Sequence, residues 1–112
     1  MKIEAKKLLF DALNACHAIE RFVAGRSFDE YENDMMLRSA VERQFGIIGR
    51  AFNRVQSVDE ELITAIPDMQ KYVGLKNYII HGYATVDNLI LWQTIHANVS
   101  PLAVELEAAL AA

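Results

Sequence analysis

The stretch Leu37-Arg38-Ser39-Ala40-Val41-Glu42-Arg43-Gln44-Phe45-Gly46-Ile47-Ile48-Gly49-Arg50-Ala51-Phe52-Asn53-Arg54-Val55 decides the fold. Its apolar residues Leu37, Val41, Phe45, Ile48, Phe52 and Val55 recur at alternating steps of four and three, the spacing of one helix face. Asp34, just ahead, is a residue type that accepts backbone N–H bonds at a helix start. Toward the N-terminus, one row runs Leu8, Ala12, Ala15, Ile19, Phe22 and a neighbouring row runs Leu9, Leu13, Cys16, Val23. Together they predict a helix from Ile3 to Ala24 with a wide buried face, and Gly25 is a natural C-cap. Ser27-Phe28-Asp29-Glu30 has the form of a capping box that starts a short helical turn. Toward the C-terminus, Ser57-Val58-Asp59-Glu60 repeats that form and predicts a short helix bearing Leu62, Ile63 and Ile66. Pro67 fits the first position of the next helix, through Tyr72, Leu75 and Ile79. Asp87 is placed to cap a segment with Leu89, Ile90, Leu91, Trp92 and Ile95, and Ser100-Pro101 restarts a last helix through Leu102, Leu106 and Leu110. No segment alternates with period two or carries a hairpin turn. The expected fold is all-α: an antiparallel up-and-down bundle of four main helices plus short extra ones, one domain over residues 1–112.

Composition narrows the function classes. The chain has 112 residues, 53% hydrophobic and 9% aromatic, which suits one folded core rather than disorder. A formal net charge of −4 does not advertise a nucleic-acid binder, so any such site has to be a local basic patch. Cys16 is the only cysteine, which removes an intrachain disulfide and points to a reducing, cytoplasmic setting. The start, Met1-Lys2-Ile3-Glu4-Ala5-Lys6-Lys7, lacks the apolar core of a signal peptide. No apolar run approaches the ~20 residues of a membrane span. His17 and His96 have no ligand pattern around them, so no metal motif is read, and the scattered glycines form no phosphate loop. No cofactor is expected.

The chemistry concentrates in Lys76-Asn77-Tyr78-Ile79-Ile80-His81-Gly82-Tyr83, a cation, an imidazole and a phenol where a helix is ending. Gly82 is the residue type that takes the left-handed turn after a helix. A histidine with an ordinary pKa of about 6.5 serves as acid or base at cellular pH. A cation beside it holds a phosphate. At about 100° per residue, Lys76 and His81 lie about 140° apart on a regular helix, so they share a face only if the helix unwinds near Ile80 or a second chain supplies the partner. His81 also reads simply as a cap of the helix C-terminus, Tyr83 as an anchoring aromatic and Lys76 as a solvated cation. Arg43, Arg50 and Arg54 fall within about 40° of one another, opposite the buried stripe. They make either an exposed basic face or a contact for RNA phosphates or an acidic partner. Tyr31, Glu32 and Asp34 read as helix-start residues, and Trp92 as core or dimer interface rather than a base-stacking platform.

These elements together resemble the HepT-like branch of the HEPN superfamily, small all-helical ribonuclease toxins. The likeness is carried by Ser27-Phe28-Asp29-Glu30-Tyr31, Ala40-Val41-Glu42-Arg43-Gln44-Phe45, Ile47-Ile48-Gly49-Arg50-Ala51, Gly74-Leu75-Lys76-Asn77, Ile80-His81-Gly82-Tyr83 and Val86-Asp87, with Trp92 and Pro101-Leu102. The family's active motif is an arginine, four to six residues, then histidine, any residue and tyrosine. The resemblance implies a homodimer whose two motifs face each other, a metal-independent endoribonuclease acting on RNA, and a minimal nucleotidyltransferase as partner antitoxin. That partner neutralises such toxins by transferring AMP to the motif tyrosine, here Tyr83. Carried over, His81 is the acid/base and Lys76 the phosphate cation; Asn77 is a weaker RNA or partner contact, as are Arg43, Arg50 and Arg54, which lie outside the motif. The chain departs from the pattern at Lys76, where the motif has arginine, and at Arg50 and Gly46, where glutamate is usual or frequent. Those departures fit a second reading, a catalytically inactive HEPN-type binding module that keeps its nucleotidyltransferase partner.

Overall fold

The structure, a computed structural model, describes residues 1–82 and 85–112. Its elements are α1 (Ile3–Val23), α2 (Phe28–Glu32), α3 (Met35–Val58), α4 (Glu61–Ala65), α5 (Met69–Gly82), α6 (Asn88–Thr94), a π-helical segment (Ile95–Val99) and α7 (Ser100–Ala111). No strand occurs among the described residues, and the expected all-α bundle is what forms.

Every member of the α3 stripe is buried: Leu37, Val41, Phe45, Ile48, Phe52 and Val55. Burying each such side chain stabilises the fold by about 1.5–3 kcal/mol, so the stripe fixes which way α3 faces. Leu9, Ala12, Cys16 and Ile19 of α1 meet it with no exposed surface. Burial pushes the Cys16 thiol up to about 12, as expected of a cysteine used as a small apolar residue. The pairing directions follow from contacts at the ends. Lys2 Nζ donates to Val58 O at 2.9 Å, and Arg54 pairs with Glu4 at 3.1 Å, so α1 and α3 run antiparallel. Phe52 meets Tyr72 edge-on with ring centroids 5.9 Å apart and Gly49 abuts Lys76, so the numbering runs in opposite directions along the contact and α5 is antiparallel to α3. Ser100 Oγ donates to Glu20 at 2.7 Å, and His17 Nε2 lies 3.2 Å from Glu107, which sets α7 antiparallel to α1. The central helix is therefore α3, covered on one side by α1 and on another by α5.

Local signals place most boundaries. Gly25 takes φ +72° directly after α1, the left-handed closure its type permits. The Ser27–Glu30 capping box is complete in both directions, and Asp34 accepts the Leu37 N–H at 3.0 Å. Asp87 accepts from Leu89 and Ile90, starting α6.

Three expectations are corrected. Ser57 and Val58 do not cap a new helix: α3 runs through Val58, and Ser57 Oγ donates back to Arg54 O at 2.8 Å. Pro67 sits in the turn before α5, which starts two residues later at Met69. Gly82 is not the left-handed closing residue, since α5 continues through it. A Cβ there would come within 3.2 Å of Val86 Cγ2, a tighter fit than an ordinary contact. Ser100-Pro101 opens α7 as expected, with the proline in its first turn. The chain passes from α6 into α7 through the π segment, whose wider turn accommodates a proline that has no N–H for the helix ladder.

Trp92 packs at the edge of the core, its ring 5.3 Å from Tyr31 and 6.2 Å from Phe28. No described helix is long and apolar enough to cross a membrane.

Candidate active site

The site begins where α3 and α5 cross. A Cβ added to Gly49 would fall on Lys76 Cβ and come within 2.9 Å of Tyr72 O. The glycine therefore lets α5 lie directly against the α3 backbone. That contact presses the stem of Lys76 against α3 and leads its ammonium toward the surface, with the side chain half-buried. Beside it opens a cleft of about 360 Å³, walled by Ser39, Glu42, Arg43, Gly46 and Arg50 of α3 and by Lys76, Ile79 and Ile80 of α5.

Three cations thus meet in one cleft, from two helices. Arg43, Arg50 and Lys76 form no ion pair among the described residues. Arg54, read with Arg43 and Arg50 as one face, does not join them, because it turns to Glu4 on α1. Arg26 is likewise taken up by Glu30 and Asp34, at 3.9 and 3.6 Å.

The rest of the motif lies elsewhere. Helix α5 is regular through His81 and Gly82, so the unwinding near Ile80 that would bring His81 round to Lys76 does not occur. His81 is exposed and is not among the cleft residues. It shares an open face of α5 with Gln70, Gly74 and Asn77, all exposed and spaced by four, three and four residues. Tyr83 lies outside the described residues. Beyond it, Thr85 Oγ1 donates to Gly82 O and the Asp87 N–H to Tyr78 Oη, both at 2.8 Å, which ties the start of α6 to the end of α5.

Glu42 and Ser39 are cleft residues that sequence reasoning missed. Glu42 is half-buried, and burial raises its carboxyl above the usual value, with the Arg38 guanidinium pulling the other way. Tyr31, fully buried on α2, has a hydroxyl with no hydrogen-bond partner among the described residues, and its phenol is raised by burial first and by Glu42 second. Part of the signal was available: positions 39, 43, 46 and 50 follow helical spacing along the face opposite the buried stripe, and Glu42 stands on the flank of that face.

An all-α bundle with a cation-lined cleft between two of its long helices is the class of protein this geometry defines. A profile of the ribonuclease HepT-like family matches residues 12–109, and the chain belongs to that family. It is 30% identical over 106 residues to the "Putative RNase MJ1380" of Methanocaldococcus jannaschii, covering 95% of this chain and 96% of that protein. It is 29% identical over 102 residues to the "Probable ribonuclease HepT" of Thermococcus cleftensis, covering 91% and 92%. A third relative, the "Putative RNase MJ1216" of Methanocaldococcus jannaschii, is 27% identical over 106 residues, covering 95% and 87%. No solved structure matches the chain.

Proposed function

We propose that this protein is a metal-independent endoribonuclease whose site is completed by a second copy of the chain. On this reading it is the toxin of a cytoplasmic toxin–antitoxin pair. The observation that carries the composite site is the angle on α5: Lys76 enters the cleft against α3 while His81 stands on the open face of the same unbroken helix. One chain offers the cation and the imidazole to different sides. A homodimer that apposes the two open faces supplies both to one RNA strand.

The chemistry is then an in-line transfer at phosphorus. One imidazole takes the proton of the ribose 2′-hydroxyl, and the 2′-oxygen attacks the adjacent phosphorus. The second imidazole protonates the departing 5′-oxygen, leaving a 2′,3′-cyclic phosphate and a free 5′-hydroxyl. Lys76 offsets the charge that gathers on the phosphoryl oxygens. Lysine supplies a point charge where the motif arginine supplies a planar fork, so turnover is slower by a factor on the order of 10². Asn77 lies on the same open face as His81 and contacts the strand. Tyr83 contacts RNA and accepts AMP from a minimal nucleotidyltransferase partner, which silences the toxin.

A second reading is favoured by the cleft itself, which gathers three cations and no imidazole. It is a non-catalytic module that binds RNA or an acidic partner surface and retains the nucleotidyltransferase. A ribonuclease assay separates the two. The expected result is weak cleavage by the wild type, none by His81→Ala and a gain with Lys76→Arg. Cleavage that survives His81→Ala removes the histidine from the mechanism, and no cleavage by wild type or Lys76→Arg leaves the binding module. Mass spectrometry after incubation with the partner and ATP should find the adduct on Tyr83; an adduct elsewhere with Tyr83 unmodified refutes that role.

A further inference from the structure

We propose that Arg50 supplies, from α3, the guanidinium fork that α5 lacks, and that the cleft it shares with Lys76 and Arg43 holds a backbone phosphate of single-stranded RNA. The inference deepens the nuclease reading and rests on its choice of RNA as ligand. Arg50 directly follows Gly49, the residue at which the two helices touch, so its side chain leaves α3 at the crossing, next to the stem of Lys76. A guanidinium presents two parallel N–H donors to a phosphate, which a lysine ammonium does not. Arg43 lies two turns away on the same face, about 10.5 Å along the axis. Between them Gly46 leaves bare backbone: a Cβ there would meet nothing within 4 Å. The floor of the cleft is therefore open to an anion, with one arginine at each end and Lys76 on the opposite wall.

The pairing pattern supports the assignment. Arg26 and Arg54 carry carboxylate partners, whereas the three cleft cations carry none among the described residues. One carboxyl also lines the cleft, that of Glu42, which has Arg38 one helical turn behind it. A protein of net charge −4 that leaves three cations unpaired in one depression presents a local attraction for phosphate against an overall repulsion. RNA is favoured over an acidic protein surface because Ile79 and Ile80 line the rim, apolar side chains that a ribose or base face covers.

The test measures binding of a 2′-O-methyl oligoribonucleotide, which cannot be cleaved, by fluorescence anisotropy over a range of salt concentrations. Arg50→Gln is expected to weaken binding about tenfold and to flatten the slope of log K against log salt by about 0.7, the loss of one single-strand phosphate contact. Arg50→Lys should keep the slope but not the affinity, as expected for a lost fork rather than a lost charge. Arg54→Gln, the same charge change on the same helix outside the cleft, should leave both unchanged. An Arg50→Gln variant that folds normally and binds as wild type overturns the proposal, as does a wild type that binds an acidic peptide and no oligonucleotide. The nuclease reading fails separately: no cleavage by wild type or by Lys76→Arg removes it, whatever Arg50 does to binding.

Discussion

Glu42 is the one carboxyl in a cleft of cations, and its environment fixes the sign of its effect on stability. Burial raises its pKa in the folded state above the ordinary 4.5, while in the unfolded chain it titrates at that value. Between the two values the folded protein binds more protons than the unfolded chain, so stability falls as pH rises through the folded pKa. Below 4.5 the group is neutral in both states and contributes no slope. Glu42→Gln removes the titration, so the melting temperature of the variant is expected to gain on wild type from pH 4 upward and then to level off. A melting-temperature difference that shrinks over that range would show that the carboxylate is favoured rather than disfavoured by its surroundings. The same substitution should tighten binding of the oligonucleotide at pH 7, because it removes the only negative charge lining the cleft. The neighbouring Tyr31 hydroxyl, buried without a partner among the described residues, adds a second polar cost at the same spot.

At the scale of elements, the crossing of α3 and α5 is the contact on which the site depends, and Gly49 tests it. On an isolated helix Gly→Ala is stabilising by up to about 1 kcal/mol. Here the added methyl would overlap the stem of Lys76 and crowd Tyr72 O at 2.9 Å, and a backbone oxygen does not move aside cheaply. Gly49→Ala is therefore expected to destabilise the fold by about 1–3 kcal/mol in a denaturant titration. It should also loosen oligonucleotide binding by shifting Lys76. Gly46→Ala, where the methyl meets open space, should be neutral or stabilising and serves as the matched control. An equal response from the two variants would mean that the helices do not meet at Gly49. This crossing also marks how far the sequence could be read. The α3 stripe, the Ser27–Glu30 box and the Asp34 and Asp87 caps were legible because each depends on residues within a turn or two of one another. Ser57, Pro67 and Gly82 misled for a complementary reason: each has the type that ends or starts a helix. Continuation of α3 through Val58, the later start of α5 and the close approach of Val86 to Gly82 are set by tertiary packing. Convergence of Arg50 with Lys76 was not visible either, since it joins residues on two helices through a contact that no spacing rule describes.

At the scale of the whole molecule, two exposed apolar regions compete to be the place where copies meet. One lies along α1 and α7, where Ile3 is 87% and Phe10 53% exposed beside Leu110. The other lies where α5 meets α6, where Ile90 is 46% exposed beside Gly74 and Tyr78. Only the second adjoins the open face that carries Asn77 and His81, so only a dimer formed there completes the proposed site. Sedimentation equilibrium is expected to give a dimer. A charged substitution near the centre of such an interface costs about 2 kcal/mol or more, which weakens association about thirtyfold. Ile90→Glu should therefore release monomers at micromolar concentration and abolish cleavage with them, while Phe10→Glu leaves both intact. Should Phe10→Glu dissociate the dimer and Ile90→Glu not, the copies meet along α1 and α7, the two His81 side chains stay apart, and the composite nuclease is ruled out whatever the cleft of a single chain binds.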